Sequence, residues 1–175
     1  MRYFTPDLLE RYGSLDDKVA DAAHDEWEAA TQQYQKHFRS IQRQLPRKLR
    51  GLIRQFHLHD ARVSFVGVAG QVLHLTLQLD ALPNETIFLR YRLVSELRMI
   101  THAIAGHQVK EPLTWLYDEV DIANDGVFPV IEQRILFSND LELAIQFQDL
   151  SYSTARTLPL VANGVAGAVQ VEMAG

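Results

Sequence analysis

Cysteine is absent from the chain, which excludes disulfides, thiolate metal centres and a cysteine nucleophile and leaves packing as the source of stability. The opening does not read as a secretory leader. MRYFTPDLLERYG carries acids and no apolar core, so a cytoplasmic location is expected. There is no basic excess, with 17 Lys and Arg against 22 Asp and Glu and a net charge of −5 at pH 7. That balance argues against a dedicated nucleic-acid or anionic-membrane binder. GxGxxG after a strand, the P-loop, GxSxG and HExxH do not occur, so the common dinucleotide, phosphate, hydrolase and zinc-protease mechanisms lack their parts.

What is present reads as one domain. The 175 residues are 47% apolar and 22% charged, enough to bury a sizeable core. Charge is polarised along the chain. Residues 7–28 hold eight acids against Arg11 and Lys18, whereas 29–59 hold no acid and seven cations. Within a helix this split complements the macrodipole.

Helical signals fill the first third. Thr5 with Pro6 predicts an N-cap and first turn, a short helix to about Tyr12, Gly13 in a left-handed C′ position and Ser14 as the cap of a second helix. Val19, Ala23, Trp27, Ala30, Tyr34, Phe38, Ile41 and Leu45 trace one apolar stripe, predicting a helix of about thirty residues and roughly 45 Å. Pro46 interrupts it and opens a third helix with Leu49, Leu52, Ile53 and Phe56 on one face.

After His57 the period changes to two. Strands are predicted over 61–67, 71–79, 85–94, 96–103, 113–121, 129–137 and 141–149. Leu73, Leu75, Leu77, Leu79, then Ile87, Leu89, Tyr91, Leu93, then Leu141, Leu143, Ile145, Phe147 mark the buried face. The connections are too short for crossover helices, so the sheet should be an antiparallel meander of about seven strands, open or partly closed into a barrel. The long helix is expected to cover its buried face. The fold class is therefore α+β, with three helices in a hairpin arrangement on the sheet over residues 1–152. Residues 153–175, apolar and rich in small side chains, are expected to form a mobile tail, with an added strand or a partner contact as alternatives. Its eighteen residues from Leu158 to Gly175, broken by Pro159, Asn163, Gly164 and Gly167, fall short of the about 20 predominantly apolar residues that a membrane-spanning helix needs.

The opening MRYFTPDL, the segment WLYDEVDI at 115–122 and the closing RILFSNDLELAIQFQDLSY at 134–152 resemble a bacterial family known only as a domain of unknown function. The resemblance implies a small bacterial cytoplasmic protein and assigns no catalytic residue.

Three arrangements could carry chemistry. His57, His59 and Asp60 at the helix-to-sheet junction place two imidazoles on one side of an extended segment, yet a structural zinc needs two more ligands. His24, His37, His74, His102 and His107 have no matching spacing, so no metal is expected. Tyr117, Asp118, Glu119 and Asp121 on the fifth strand, with Glu132 and Arg134 on the sixth, could bring carboxylates together for acid and base roles. Strand alternation puts Asp118 on the face opposite Tyr117, Glu119 and Asp121, and cross-strand pairing of Arg134 with an acid is the plainer account. Arg39, Arg43, Arg47, Lys48, Arg50 and Arg54 form a basic stretch that is either a solvated face or a docking surface for another protein, with nucleic acid the least favoured partner.

These readings point first to a noncatalytic interaction module, of the immunity, antitoxin or regulatory kind, with no cofactor. The alternative is an enzyme or small-ligand carrier with its site near Tyr117–Glu119 and Glu132–Arg134.

Overall fold

The computed structural model describes residues 1–79, 85–102, 112–124, 126, 128–157 and 169–173. Helix α1 spans Pro6–Tyr12, with Thr5 Oγ1 accepting from the Leu8 N–H at 3.2 Å and Pro6 in the first turn. Gly13 ends it at φ −87°, not in the left-handed region. Its N–H reaches the Leu9 carbonyl without the left-handed turn, so a side chain would be tolerated there.

Helix α2, Asp17–Ile41, is capped by Asp16 instead of Ser14. Asp16 Oδ1 accepts from the N–H groups of Lys18 and Val19, while Ser14 Oγ accepts only from the N–H of Asp16. A carboxylate at this end gains from the helix dipole as well as from the hydrogen bonds, which explains the choice. At 25 residues, about 37 Å long, α2 stops short of the expected Leu45, because Pro46 forces a turn ahead of α3, Arg47–Gln55.

The seven expected strands are all found: β1 (Ala61–Ala69), β2 (Val72–Gln78), β3 (Glu85–Leu93), β4 (Arg98–Thr101), β5 (Thr114–Asn124), β6 (Val130–Phe137) and β7 (Leu141–Thr157), with an eighth, β8 (Val169–Met173), added beyond them. Every pairing is antiparallel. Meanders run through β1–β2–β3 and through β5–β6–β7, but β3 does not pair with β4. Both lie on one edge of β7: Glu85 opposes Arg156 and Leu93 opposes Phe147, then Arg98 opposes Ala144 and Thr101 opposes Leu141. They are two halves of one strand line interrupted at 94–97.

This is possible because β7 runs 17 residues, past the expected end at 149. Its second half also carries β8, from Ser153 opposite Met173 to Thr157 opposite Val169. Of the expected tail, 153–157 and 169–173 are thus strand, and the segment between them lies outside the described residues. The β3–β7 pairing turns the sheet into a hydrogen-bonded ring, β1–β2–β3–β7–β6–β5, closed by a short β1–β5 contact that pairs Ala61 with Trp115 and Arg62 with Thr114 and is flanked by bonds from the Asp60 N–H to the Trp115 carbonyl and from the Val63 N–H to the Leu113 carbonyl.

The alternating apolar sets occupy the inner face. Leu73, Leu77, Ile87, Tyr91, Ile131, Ile145 and Phe147 are fully buried. Burying each leucine-sized side chain is worth about 1.5–3 kcal/mol. The long helix does not cover this face alone. It lies against β5, α3 lies against β7, and Ile41, Leu45, Leu49 and Leu52 from the end of α2 onward enter the main core. No helix among the described residues is long and apolar enough to cross a membrane.

Candidate functional site

β5 alternates, and the alternation separates the candidate acids. Glu119 opposes Arg134 and Asp121 opposes Glu132 on the outer face. There Glu119 is buried and accepts three consecutive backbone N–H groups: Arg2 at 2.7 Å, Tyr3 at 2.6 Å and Phe4 at 2.8 Å. Beside it, Glu142 on β7 accepts from the Met1 amino group at 2.6 Å and lies 2.9 Å from His102 Nε2. Glu132 accepts from Arg98, Arg134 and Gln146. Burial pushes the Glu132 and Glu142 carboxyls upward. For Glu132 the bonds from Gln146 and Arg134, and for Glu142 those from the amino terminus and His102, outweigh it and hold both below the ordinary range.

Glu119 and Glu142 therefore clasp the N-terminal segment to the sheet, while Glu132 and Arg134 pair with each other, and a small depression of about 110 Å³ lies beside Glu119, Glu132 and Arg134. The clasp seats Phe4 among aromatic rings, 5.1 Å from Trp27, 5.5 Å from Tyr34 and 5.7 Å from Tyr117. The chain's opening, the segment 115–122 and the segment 134–152 meet here, through Met1–Phe4, Glu119 and Glu142.

Asp118 faces the other way. Its carboxylate lies in a cleft of about 560 Å³ between α2, α3, the α3–β1 junction and the β5–β6 pair. Aromatic walls come from Tyr34, Phe38, Phe56 and Tyr117, and Arg39 and Gln35 line the helical side. Trp115 Nε1 donates to Asp118 Oδ1 at 3.1 Å and Gln133 Nε2 donates to Oδ2 at 2.7 Å. Behind Gln133, the fully buried Tyr91 donates its hydroxyl to Gln133 Oε1 at 3.0 Å. Burial and the Asp118 charge hold that phenol far above its ordinary pKa, so it stays a donor. This orients the Gln133 amide, carbonyl toward Tyr91 and NH₂ toward Asp118.

Burial raises the Asp118 pKa, opposed by the hydrogen bonds from Gln133 and Trp115 and reinforced by the neighbouring Glu119 charge. Among the described residues no cation pairs with Asp118; both of its oxygens rest on neutral donors.

The other candidates fall around this cleft or away from it. His57 and His59 line it. His59 Nδ1 faces the Leu116 carbonyl, an acceptor, so that nitrogen carries the proton, while Nε2 is 3.3 Å from Asp60 and the ring lies 4.8 Å from that of Tyr117. Asp60 takes φ 62° in the junction turn. His24 pairs with Glu28, and His37 with Asp121. Among the described residues no three His or carboxylate side chains group as a metal site; His107 lies outside them.

Of the basic stretch, only Arg39 reaches the cleft. Arg43, Arg47, Lys48 and Arg54 are exposed, and Arg50 is half-buried with Nε buried and unpartnered. None of the six makes an ion pair among the described residues.

Sequence reasoning placed Tyr117 and Asp118 but missed Trp115, Tyr91 and Gln133. Gln133 was visible as the one polar residue in the inward phase Ile131, Gln133, Ile135, Phe137 of β6. Compared with known proteins, the chain matches no family model, and no curated protein matches it.

Proposed function

We propose that this protein is a noncatalytic small-ligand-binding protein whose site is the cleft over Asp118. The observation that carries the reading is a carboxylate without a charged partner among the described residues, held by Trp115 and Gln133 and lining a largely apolar, aromatic-walled cleft of about 560 Å³. Clefts of roughly 300–1,000 Å³ with a few convergent polar groups are the usual form of small-molecule sites. Support also comes from where the lining arises: two helices, a junction and two strands converge, so the site exists only in the folded chain. The cleft keeps Tyr117 and Asp118 of the site expected near Tyr117–Glu119 and Glu132–Arg134 but not Glu132 and Arg134, which pair with each other on the outer face.

A fragment screen read by protein NMR tests this. Hits should converge on the Trp115 indole N–H and the Gln133 side-chain amide. Hits scattered over the surface, leaving those two signals unmoved, would count against the cleft.

A second reading is favoured by one separate observation, the cations Arg39, Arg43, Arg47, Lys48, Arg50 and Arg54 without ion-pair partners among the described residues. Such a face suits an acidic protein partner and would fit an immunity, antitoxin or regulatory role. Reversing Arg43 and Arg47 to Glu should then abolish capture of that partner while leaving the cleft's ligand binding intact.

A further inference from the structure

We propose that the cleft selects a monocationic organic amine, an ammonium group on an apolar body, with the ammonium seated on Asp118. The inference rests on the cleft reading above and names its ligand class from the unused valences of the site.

A carboxylate offers about four acceptor positions. Trp115 Nε1 and Gln133 Nε2 occupy one on each oxygen, at 3.1 and 2.7 Å. The remaining positions can accept N–H donors from a ligand. Both partners in place are neutral, so the carboxylate has no counter-charge among the described residues. A charge removed from water in this way is costly unless paired, and a cationic ligand supplies the pairing.

The walls fit the same class. Tyr34, Phe38, Phe56 and Tyr117 line the cleft, and an aromatic ring that turns its face to a ligand favours an organic cation over an anion through its quadrupole. Leu52, Ile53 and Leu58 complete an apolar lining for the body of the ligand.

A divalent metal ion fits poorly. Calcium and magnesium want about six or more oxygen ligands, whereas the second polar group at the base, Gln133, turns its NH₂ and not its carbonyl toward the site. Glu119, adjacent in sequence, is on the opposite face and committed to backbone N–H groups. An anionic ligand placed at the cleft floor would meet the Asp118 carboxylate, with Arg39 lining the helical side of the same cleft.

Tyr91 acts here as a positioning residue. Its hydroxyl on Gln133 Oε1 keeps the amide NH₂ aimed at Asp118 and so favours the ionised carboxylate that an ammonium requires. Without that hydroxyl the amide is free to turn its carbonyl to Asp118, which favours the protonated acid.

The test compares three phenyl probes of similar size, phenethylamine, phenethyl alcohol and phenylacetate, at neutral pH by NMR titration of the Trp115 indole and Gln133 amide signals. The amine should bind about tenfold or more tightly than the alcohol, the scale of one desolvated charge pair, and phenylacetate should bind least. In Asp118→Asn the amine's advantage over the alcohol should vanish. In Tyr91→Phe it should shrink and shift to higher pH. Should Asp118→Asn fail to fold, the probe series on the unaltered protein still decides the class. If the alcohol or phenylacetate moves the cleft signals as strongly as the amine, the amine assignment is wrong and the small-ligand reading survives. If none of the three moves them and the fragment screen finds no hit there, both fall together.

Discussion

Asp118 and Glu119 are neighbours on β5 that face opposite ways: Glu119 takes three backbone N–H groups of the N-terminal segment, while Asp118 takes the Trp115 indole and the Gln133 amide in the cleft. One carboxylate is spent on assembling the fold. The other is left with free acceptor positions and no counter-charge among the described residues.

Glu119→Gln tests the first role. One amide oxygen remains to accept, but the NH₂ then faces backbone donors inside a buried site. Hydrogen bonds to a charged group are worth about 1.5–3 kcal/mol each, and the variant should lose roughly 2–3 kcal/mol in urea denaturation. A loss under about 0.5 kcal/mol, the scale of an indifferent surface change, would show that the clasp contributes little.

Phe4 depends on that clasp. It is 8% exposed and sits among Trp27, Tyr34 and Tyr117. Phe4→Ala should cost about 3–5 kcal/mol and redden the Trp27 fluorescence as water enters. If thermal melting is unchanged, the N-terminal segment is not part of the packed structure.

The acids give opposite pH dependences. Glu132 and Glu142 are held below the ordinary carboxylate value in the fold. Their stabilisation is present above about pH 4.5, the value in the unfolded chain, and is lost as pH falls through their depressed folded values. Asp118 is raised. Its contribution is present below about pH 4, where folded and unfolded forms are both protonated, and is lost as pH rises through the elevated folded value. Asp118→Asn should therefore remove a decline in stability with rising pH just above pH 4 and leave the acid-side loss unchanged. Identical stability-pH curves for the variant and the unaltered protein would contradict this assignment.

Arg43 and Arg47 are exposed and unpaired among the described residues. Reversing both to Glu should change stability by less than about 1 kcal/mol, two surface changes of about 0.5 each. A larger loss by thermal melting would mean that these cations serve the fold and not a partner.

The fold was legible where local pattern decides it. The alternations Leu73–Leu79 and Ile87–Leu93 lie on the inner face as read, and Thr5 with Pro6 starts α1. Local pattern failed where distant pairing decides. Ser151, Ser153 and Thr154 gave no apolar alternation, so β7 was ended at 149, and the shared edge that brings β3 and β4 into one line went unseen. Glu119 bonds to residues 115 to 117 positions away, a contact that no spacing announces. The cleft combines Asp118, His59 and Arg39, weighed separately in the sequence because only the closed ring and α3 bring them together.

Native mass spectrometry of the protein purified gently from its own cells, beside its Asp118→Asn variant, tests the central claim most directly. The account predicts a stoichiometric small molecule of amine composition on the unaltered protein and its loss from the variant. A small molecule retained equally by both, or a discrete complex with a second protein and no small molecule, would contradict it.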